Sequence, residues 1–136
     1  MQLHVYTDGS YTEGKGGSSA YVIIDPSNSS IIREYAKFIP HKKCKASRNI
    51  TTELYAVGFA MNYCNKKGLH DIMVFHDLLG ISKWAQGEWR TTKKVTKKYK
   101  EFMHTFSHMN VQFTHVRGHS GNHWNEYVDN LCKTVL

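Results

Sequence analysis

Residues 3–24, LHVYTDGSYTEGKGGSSAYVII, contain a strand, a glycine-rich connection and a second strand. Leu3–Thr7 is apolar and β-branched, which predicts a buried strand, and the glycines after it indicate a turn. Ala20–Ile24 predicts the second strand, which stops at the turn sequence of residues 25–28. Ile31–Ile39 predicts a third strand. Three strands joined by short turns favour an antiparallel meander at the start of the chain.

The rest of the chain alternates between helical and strand patterns. In the first helical segment Leu54, Val57, Met61 and Cys64 recur at the spacing of one helix face. Strands in such an alternation pair in parallel through right-handed crossovers. We therefore expect one α/β domain over residues 1–136, with a five-stranded mixed sheet flanked by helices. Helices are predicted at 51–67, 78–85, 95–109 and 124–135, and further strands at 72–76 and 111–116.

Composition narrows the functional classes. The chain has 136 residues, a net charge of +7 and a pI near 9.3, which favours a polyanionic partner, although a basic protein without such a partner has the same charge. Its three cysteines form no CxxC pair, and with no signal peptide recognised they indicate reduced thiols and a cytoplasmic location. No apolar run reaches the roughly 18 residues of a membrane span.

Four carboxylates stand out by their settings: Asp8, Glu53, Asp77 and Asp129. Asp8 and Asp77 are expected to end two neighbouring parallel strands, which would place their side chains together. Glu53 is expected in the first turn of its helix, and Asp129 in the last helix. Taken singly, each has an ordinary structural explanation. Asp8 also fits a turn and Glu53 a charge at a helix start. Asp77 also fits an N-cap and Asp129 a solvated helix position. Together they favour a Mg²⁺ site, because Mg²⁺ prefers hard oxygen ligands and paired ions catalyse phosphodiester chemistry.

These residues resemble the motifs of the type 1 ribonuclease H family over nearly the whole chain. The matching elements are Asp8-Gly9-Ser10, Asn49 four positions before Glu53, Asp77 after a strand, Gly118-His119-Ser120-Gly121, and Asn125 four positions before Asp129. The segment from His76 to Trp89 is similar to a bacterial and viroplasmin-associated subgroup. Two features depart from the family. Leu78-Leu79 follows Asp77 where many members have a polar residue, and the chain lacks the longer basic helix and loop, called the handle, of some bacterial members.

The resemblance implies a nuclease that cleaves the RNA strand of RNA–DNA hybrids and leaves 5′-phosphate and 3′-hydroxyl ends. The four carboxylates would bind two Mg²⁺ or Mn²⁺ ions, and His119 would assist proton transfer or product release. Asn49 and the backbone of Gly9 and Ser10 would sense the 2′-hydroxyl groups that distinguish RNA from DNA. A monomer without an obligatory protein partner is expected. Two alternatives stay open: a nonenzymatic hybrid-binding module, and another nuclease of the superfamily that acts on DNA.

Basic side chains cluster in two further segments. Arg48 belongs to a predicted basic loop, residues 42–48, that contacts nucleic acid or is an inert surface loop. The second segment is hypothesised to hold the DNA strand, although solvated charges and a tryptophan that anchors a loop explain it equally. Its proposed contact residues are Trp89, Arg90, Lys93, Lys94 and Lys97. Trp84, just before them, is interpreted as a core residue.

Overall fold

A computed structural model describes residues 1–117 and 121–136. Its sheet has the strand order β3-β2-β1-β4-β5. The pairs β1–β2 and β2–β3 are antiparallel, and β1–β4 and β4–β5 are parallel. This arrangement confirms the predicted mixed sheet. The strands are β1 (Leu3–Thr12), β2 (Gly16–Asp25), β3 (Ser30–Pro40), β4 (Asp71–His76) and β5 (Asn110–His115).

The helices differ from the sequence expectations mainly at their ends. They are α1 (His41–Cys44), α2 (Arg48–Lys66), α3 (Gly80–Ala85), α4 (Lys94–His104) and α5 (His123–Lys133). The predicted loop at residues 42–48 was wrong, because most of it belongs to α1 and to the start of α2. The helix predicted at residues 95–109 corresponds to α4, and its predicted end at Met109 was also wrong. Beyond His104 the chain forms tight turns, in which the N–H of Phe106 donates to the carbonyl of Met103 at 3.1 Å.

Strand β1 runs further than its apolar stretch suggested. It continues to Thr12 because each added residue pairs with β2, including Asp8 with Ala20. Asp8 therefore lies within a strand, and its predicted position at the strand end was wrong. The parallel pairing of β1 with β4 ends at Tyr6 and Phe75. Asp8 and Asp77 each lie two residues beyond that pair, so they remain level with each other.

Alternate residues of the central strands enter two separate cores, as expected for side chains that alternate across a sheet. In β2, Tyr21 and Ile23 face the core under α2, α3 and α4, while Val22 faces a smaller core under α5. The predicted inward face of α2 is confirmed, since all four of its named residues are buried. All three cysteines are free and buried, and Trp84 packs half-buried against the larger core. Over the described ranges, no helix combines the length and hydropathy that a membrane crossing requires.

Candidate active site

Three carboxylates from separate elements meet at one edge of the sheet. Asp8 comes from β1, Glu53 from α2 and Asp77 from the segment after β4. One oxygen of each lies within 4.8 Å of one oxygen of the other two. Asp8 and Glu53 are buried, with relative exposures of 5% and 6%, and Asp77 is half-buried. Because three acidic groups lie so close together in a largely buried position, they attract a cation strongly.

A close approach of β1 to α2 positions two of these side chains. The backbone N–H of Gly9 donates to Asp8 Oδ1 at 2.9 Å and to Glu53 Oε1 at 3.1 Å. A Cβ atom on residue 9 would lie 2.5 Å from the backbone nitrogen of Glu53, so only glycine fits. The hydroxyl of Ser19 donates to the carbonyl of Thr52 at 2.6 Å and fixes α2 from the β2 side.

Glu53 is not in the first turn of its helix, so that expectation was wrong. Because α2 begins at Arg48, Glu53 is the sixth helical residue, beyond the unpaired N–H groups of a helix start. Its carboxylate instead faces the strand, where the N–H of Gly9 is its donor. The other oxygen, Oε2, is buried and has no hydrogen-bond partner among the residues that the structure describes.

The fourth carboxylate, Asp129, lies in the same cleft, where its interaction with the carboxyl group of Asp8 adds to the rise in the pKa of Asp8. Asp129 projects from α5 and lines the cleft, but it is not one of the three groups that lie within 4.8 Å of each other. Its Oδ2 lies 3.2 Å from Nζ of Lys133, one helical turn further along α5. The thiol of Cys132 donates to the carbonyl of Asp8 at 3.3 Å, which ties α5 to β1 beneath the site.

Burial and mutual repulsion make these groups hard to ionise without a cation. Burial is the largest cause that raises the pKa of Asp8 to about 7, and the charge of Asp77 adds to it. Burial and the charges of Asp8 and Asp77 raise the pKa of Glu53 well above its usual value. Burial also raises the pKa of Asp77, with a smaller contribution from the charge of Asp129. A divalent cation would relieve this repulsion and give Glu53 Oε2 the partner it lacks, so the donor set fits Mg²⁺.

The cleft around the carboxylates has a volume of about 490 Å³. Gly9, Ser10 and Asn49, all expected from the sequence to contact nucleic acid, line it next to the acidic groups. Tyr11 also lines it, and its hydroxyl lies 3.0 Å from Nδ1 of His41. Tyr11 was missed from the sequence because the predicted strand ended at Thr7, and its place two residues beyond Gly9 on the same strand is known only once β1 is seen to reach Thr12. Other lining residues are Ile50, Leu78, Asn125 and Glu126.

The other expected contact residues lie outside this cleft. Arg48 is the first residue of α2 and has a positive φ of 47°. Its Nε lies 3.7 Å from Oε2 of Glu13. Trp89 is 42% exposed and packs edge-on against Trp84, with ring centroids 5.9 Å apart. The basic residues that follow Trp89 are exposed on the loop after α3 and on the first turn of α4: Arg90, Lys93, Lys94 and Lys97. His119 lies outside the described residues.

Comparison with known proteins agrees with this geometry. A family model described as RNase H matches residues 1–136. The chain belongs to the RNase H family. The ribonuclease H resemblance predicted from the motifs is thereby confirmed, and solved RNase H1 structures share the fold of this RNase H.

Individual relatives match over almost their full length. Ribonuclease H of Wolbachia sp. subsp. Drosophila simulans (strain wRi) is 25% identical over 146 residues, which cover 99% of this chain and 95% of that protein. RNase H1 from the halophilic archaeon Halobacterium salinarum NRC-1 has a TM-score of 0.79 at 21% identity, covering 98% of this chain and 96% of its own. LC11-RNase H1 in complex with RNA/DNA hybrid has a TM-score of 0.74 at 19% identity, covering 97% of each chain.

One departure from the family motifs has a structural consequence. Leu78, which follows Asp77, is half-buried, packs against the larger core and also lines the cleft. This RNase H therefore has an aliphatic side chain beside its carboxylates, where a polar residue is common. The backbone of Leu78 hydrogen-bonds to the carboxylate of Asp77, which partly offsets the rise in the pKa of Asp77 that burial causes.

Proposed function

We propose that this RNase H hydrolyses the RNA strand of RNA–DNA hybrids with two Mg²⁺ ions, which Mn²⁺ can replace, and leaves 5′-phosphate and 3′-hydroxyl ends. The observation that carries the proposal is the meeting of the Asp8, Glu53 and Asp77 oxygens within 4.8 Å. A structure with the same fold, LC11-RNase H1, holds an RNA/DNA hybrid, which supports the choice of substrate. The net charge of +7 suits a polyanion.

Asp8, Glu53, Asp77 and Asp129 would hold the cations. When bound, two such ions would supply activation of the attacking water and stabilisation of the departing oxygen. The protein contributes orientation: the N–H of Gly9 fixes one oxygen each of Asp8 and Glu53. This leaves their remaining oxygens to the cations. The proton-transfer role of His119 stays a prediction.

Substrate recognition is proposed to use two surfaces. Asn49 and the backbone of Gly9 and Ser10 lie in the cleft beside the carboxylates, which supports the proposal that they contact the 2′-hydroxyls of the RNA strand. Trp89 and the exposed basic residues that follow it would hold phosphates and sugars of the DNA strand, with Arg48 as a further phosphate contact. Residues 1–136 would act as a single catalytic domain and as a monomer. The three free, buried cysteines support a reducing compartment such as the cytoplasm.

The proposal is tested with strand-labelled duplexes: an RNA–DNA hybrid, double-stranded RNA, double-stranded DNA and single-stranded RNA. Each is incubated with Mg²⁺, with Mn²⁺ and with chelator. Metal-dependent cutting of only the RNA strand of the hybrid is expected. Binding without cutting would favour a nonenzymatic hybrid-binding module, and cutting of DNA would favour another nuclease of the superfamily.

A pair of matched substitutions then tests the metal site. Asp77→Asn removes a charge at the cleft end of β4 and should abolish cleavage while hybrid binding persists. Asp71→Asn makes the same chemical change at the opposite end of the same strand, where Asp71 accepts a hydrogen bond from Asn110 at 2.8 Å. This control should cleave at the wild-type rate. Full activity of Asp77→Asn would refute the assignment of the carboxylates.

A further inference from the structure

Two histidines flank the segment that carries Asp77. His76 and His115 occupy paired positions at the ends of the neighbouring parallel strands β4 and β5, and their ring centroids lie 5.8 Å apart. His76 is fully buried and His115 is exposed. Of the residues that the structure describes around the cleft, neither histidine is part of the lining. Any contribution they make to the site must therefore pass through a neighbouring group.

Both rings hydrogen-bond to the backbone around Asp77. Nε2 of His115 lies 2.9 Å from the carbonyl oxygen of Asp77, and Nδ1 of His76 lies 2.9 Å from that of Leu78. Because a carbonyl oxygen only accepts, each ring must donate an N–H. The carbonyl of His76 itself accepts from the backbone N–H of Val116 at 2.7 Å. Three successive carbonyls, from His76 to Leu78, are thus held in place.

This restraint lies where the regular structure ends. The β4–β5 ladder stops at His76 and His115, and α3 begins only at Gly80, so Asp77 lies outside both elements. The carbonyl of Leu78 also accepts from the N–H of Ile81 at 3.1 Å, whereas the carbonyl of Asp77 is contacted by His115. Asp8 and Glu53 lie within β1 and α2 and are held by those elements. Repulsion from these two carboxylates pushes Asp77 out of the cluster whenever all three are charged and no cation is bound. The two imidazole N–H donors oppose that displacement.

We propose that His76 and His115 are positioning residues that hold Asp77 in the arrangement that binds the divalent cation. The inference rests on the proposed function, since it concerns the same carboxylates. Groups that orient a metal ligand affect metal affinity by about 10–100-fold when they are removed. The histidines act on the backbone of the ligand and not on its carboxylate, so we expect the lower end of this range, about 10-fold.

His115 is the better residue to change because it is exposed. His115→Leu removes the donor, whereas His115→Gln places an amide N–H near the position of Nε2. His104→Leu, at the exposed end of α4, is the control for a surface histidine changed in the same way. His76→Asn and His76→Leu repeat the comparison at the buried ring, with the Asn amide near the position of Nδ1.

Mn²⁺ binding to the free protein is measured from the decrease in the electron paramagnetic resonance signal of the free ion. Thermal unfolding and hybrid cleavage are measured on the same variants. His115→Leu should raise the dissociation constant of Mn²⁺ about 10-fold. His115→Gln should stay within about 2-fold of wild type, because its donor is kept, and His104→Leu should leave the constant unchanged. Cleavage by His115→Leu should need correspondingly more Mn²⁺ and approach the wild-type rate at saturation.

Wild-type Mn²⁺ affinity in His115→Leu, with or without a lower Tm, would overturn the inference, as would equal losses in the Leu and Gln variants. A wild-type protein that binds no Mn²⁺ would overturn both the positioning role and the proposed function. Mn²⁺ binding that depends on His115 as described, in a protein that cleaves no hybrid, would support the positioning role and refute the proposed function alone.

Discussion

Replacing Asp8 with Asn should stabilise the metal-free protein even as it abolishes cleavage. The carboxylate of Asp8 is buried beside Glu53 and Asp77, and its pKa rises from 3.8 to about 7. An amide of the same shape accepts the hydrogen bond from Gly9 and has no charge to bury. The substitution therefore removes the penalty for an ionised group at this position and keeps the packing.

The size and pH dependence of the effect follow from the shift in pKa. Below about pH 4, Asp8 is protonated in both the folded and the unfolded chain, and the substitution has little effect on the free energy of unfolding. Between pH 4 and 7 only the unfolded chain ionises, so the wild-type protein loses stability as the pH rises. At 1.36 kcal/mol per pKa unit, the advantage of the Asn variant grows to about 4 kcal/mol and is constant above pH 7.

Urea unfolding in chelator at several pH values between 4 and 8 measures this difference. Glu101→Gln, on the exposed face of α4, changes the net charge by the same amount and should show no such pH-dependent gain. Added Mn²⁺ should raise the stability of the wild-type protein more than that of Asp8→Asn, because the variant has lost a ligand. An Asp8→Asn variant that is no more stable than wild type at pH 8 would refute the electrostatic reasoning.

Three further predictions concern packing, ionisation and substrate binding. Gly9→Ala should lower the free energy of unfolding by about 1–3 kcal/mol through the clash with α2, and it should abolish cleavage. Gly58→Ala is the control, because its Cβ would lie at an ordinary 3.6 Å from Phe102, and it should raise the free energy of unfolding by about 0.5–1 kcal/mol. Urea unfolding compares the two variants. Burial lowers the pKa of His76 to about 4, so its imidazole should stay neutral in an NMR titration down to that pH. The stability that the neutral ring contributes should be lost as the pH falls from about 6.5 to 4, because the unfolded chain binds the proton first. A titration midpoint near 6.5 would contradict the burial of the ring. The affinity of the Asp77→Asn protein for a hybrid should fall steeply as the salt concentration rises. Each phosphate contact removed should lower the slope of log K against log salt by about 0.9, the B-DNA value. Fluorescence anisotropy of a triple Ala variant measures the slope, and an unchanged slope would show that the substituted lysines do not contact the hybrid. The residues changed in that variant are Lys93, Lys94 and Lys97.

Much of the fold follows from local sequence patterns. The apolar period of α2, with Val57 and Met61 on one face, predicted a helix and its buried side, because that pattern depends only on residues within a few turns. The β1–β2 hairpin followed from two apolar runs and the glycines between them. The end of β1 did not: Asp8 to Thr12 is too polar to be recognised as a strand and is strand only because β2 pairs with it. The apolar pattern of α4 continues through Phe106, although the helix ends at His104 and the chain then forms tight turns.

The sequence by itself determined which side chains are available for chemistry: four carboxylates in family motifs, a basic surface and reduced cysteines. It also predicted the antiparallel meander of the first three strands and the parallel pairing of β1 with β4, whereas the full strand order is known only from the structure. Only the tertiary structure decided that Asp8, Glu53 and Asp77 meet within 4.8 Å and that Asp129 lines the same cleft. It also decided that His115 contacts the carbonyl of Asp77 and that His76 contacts the carbonyl of Leu78. Apart from the local contact of His76, these contacts join residues far apart in the chain, and their distances depend on strand register and helix packing, which no local pattern encodes.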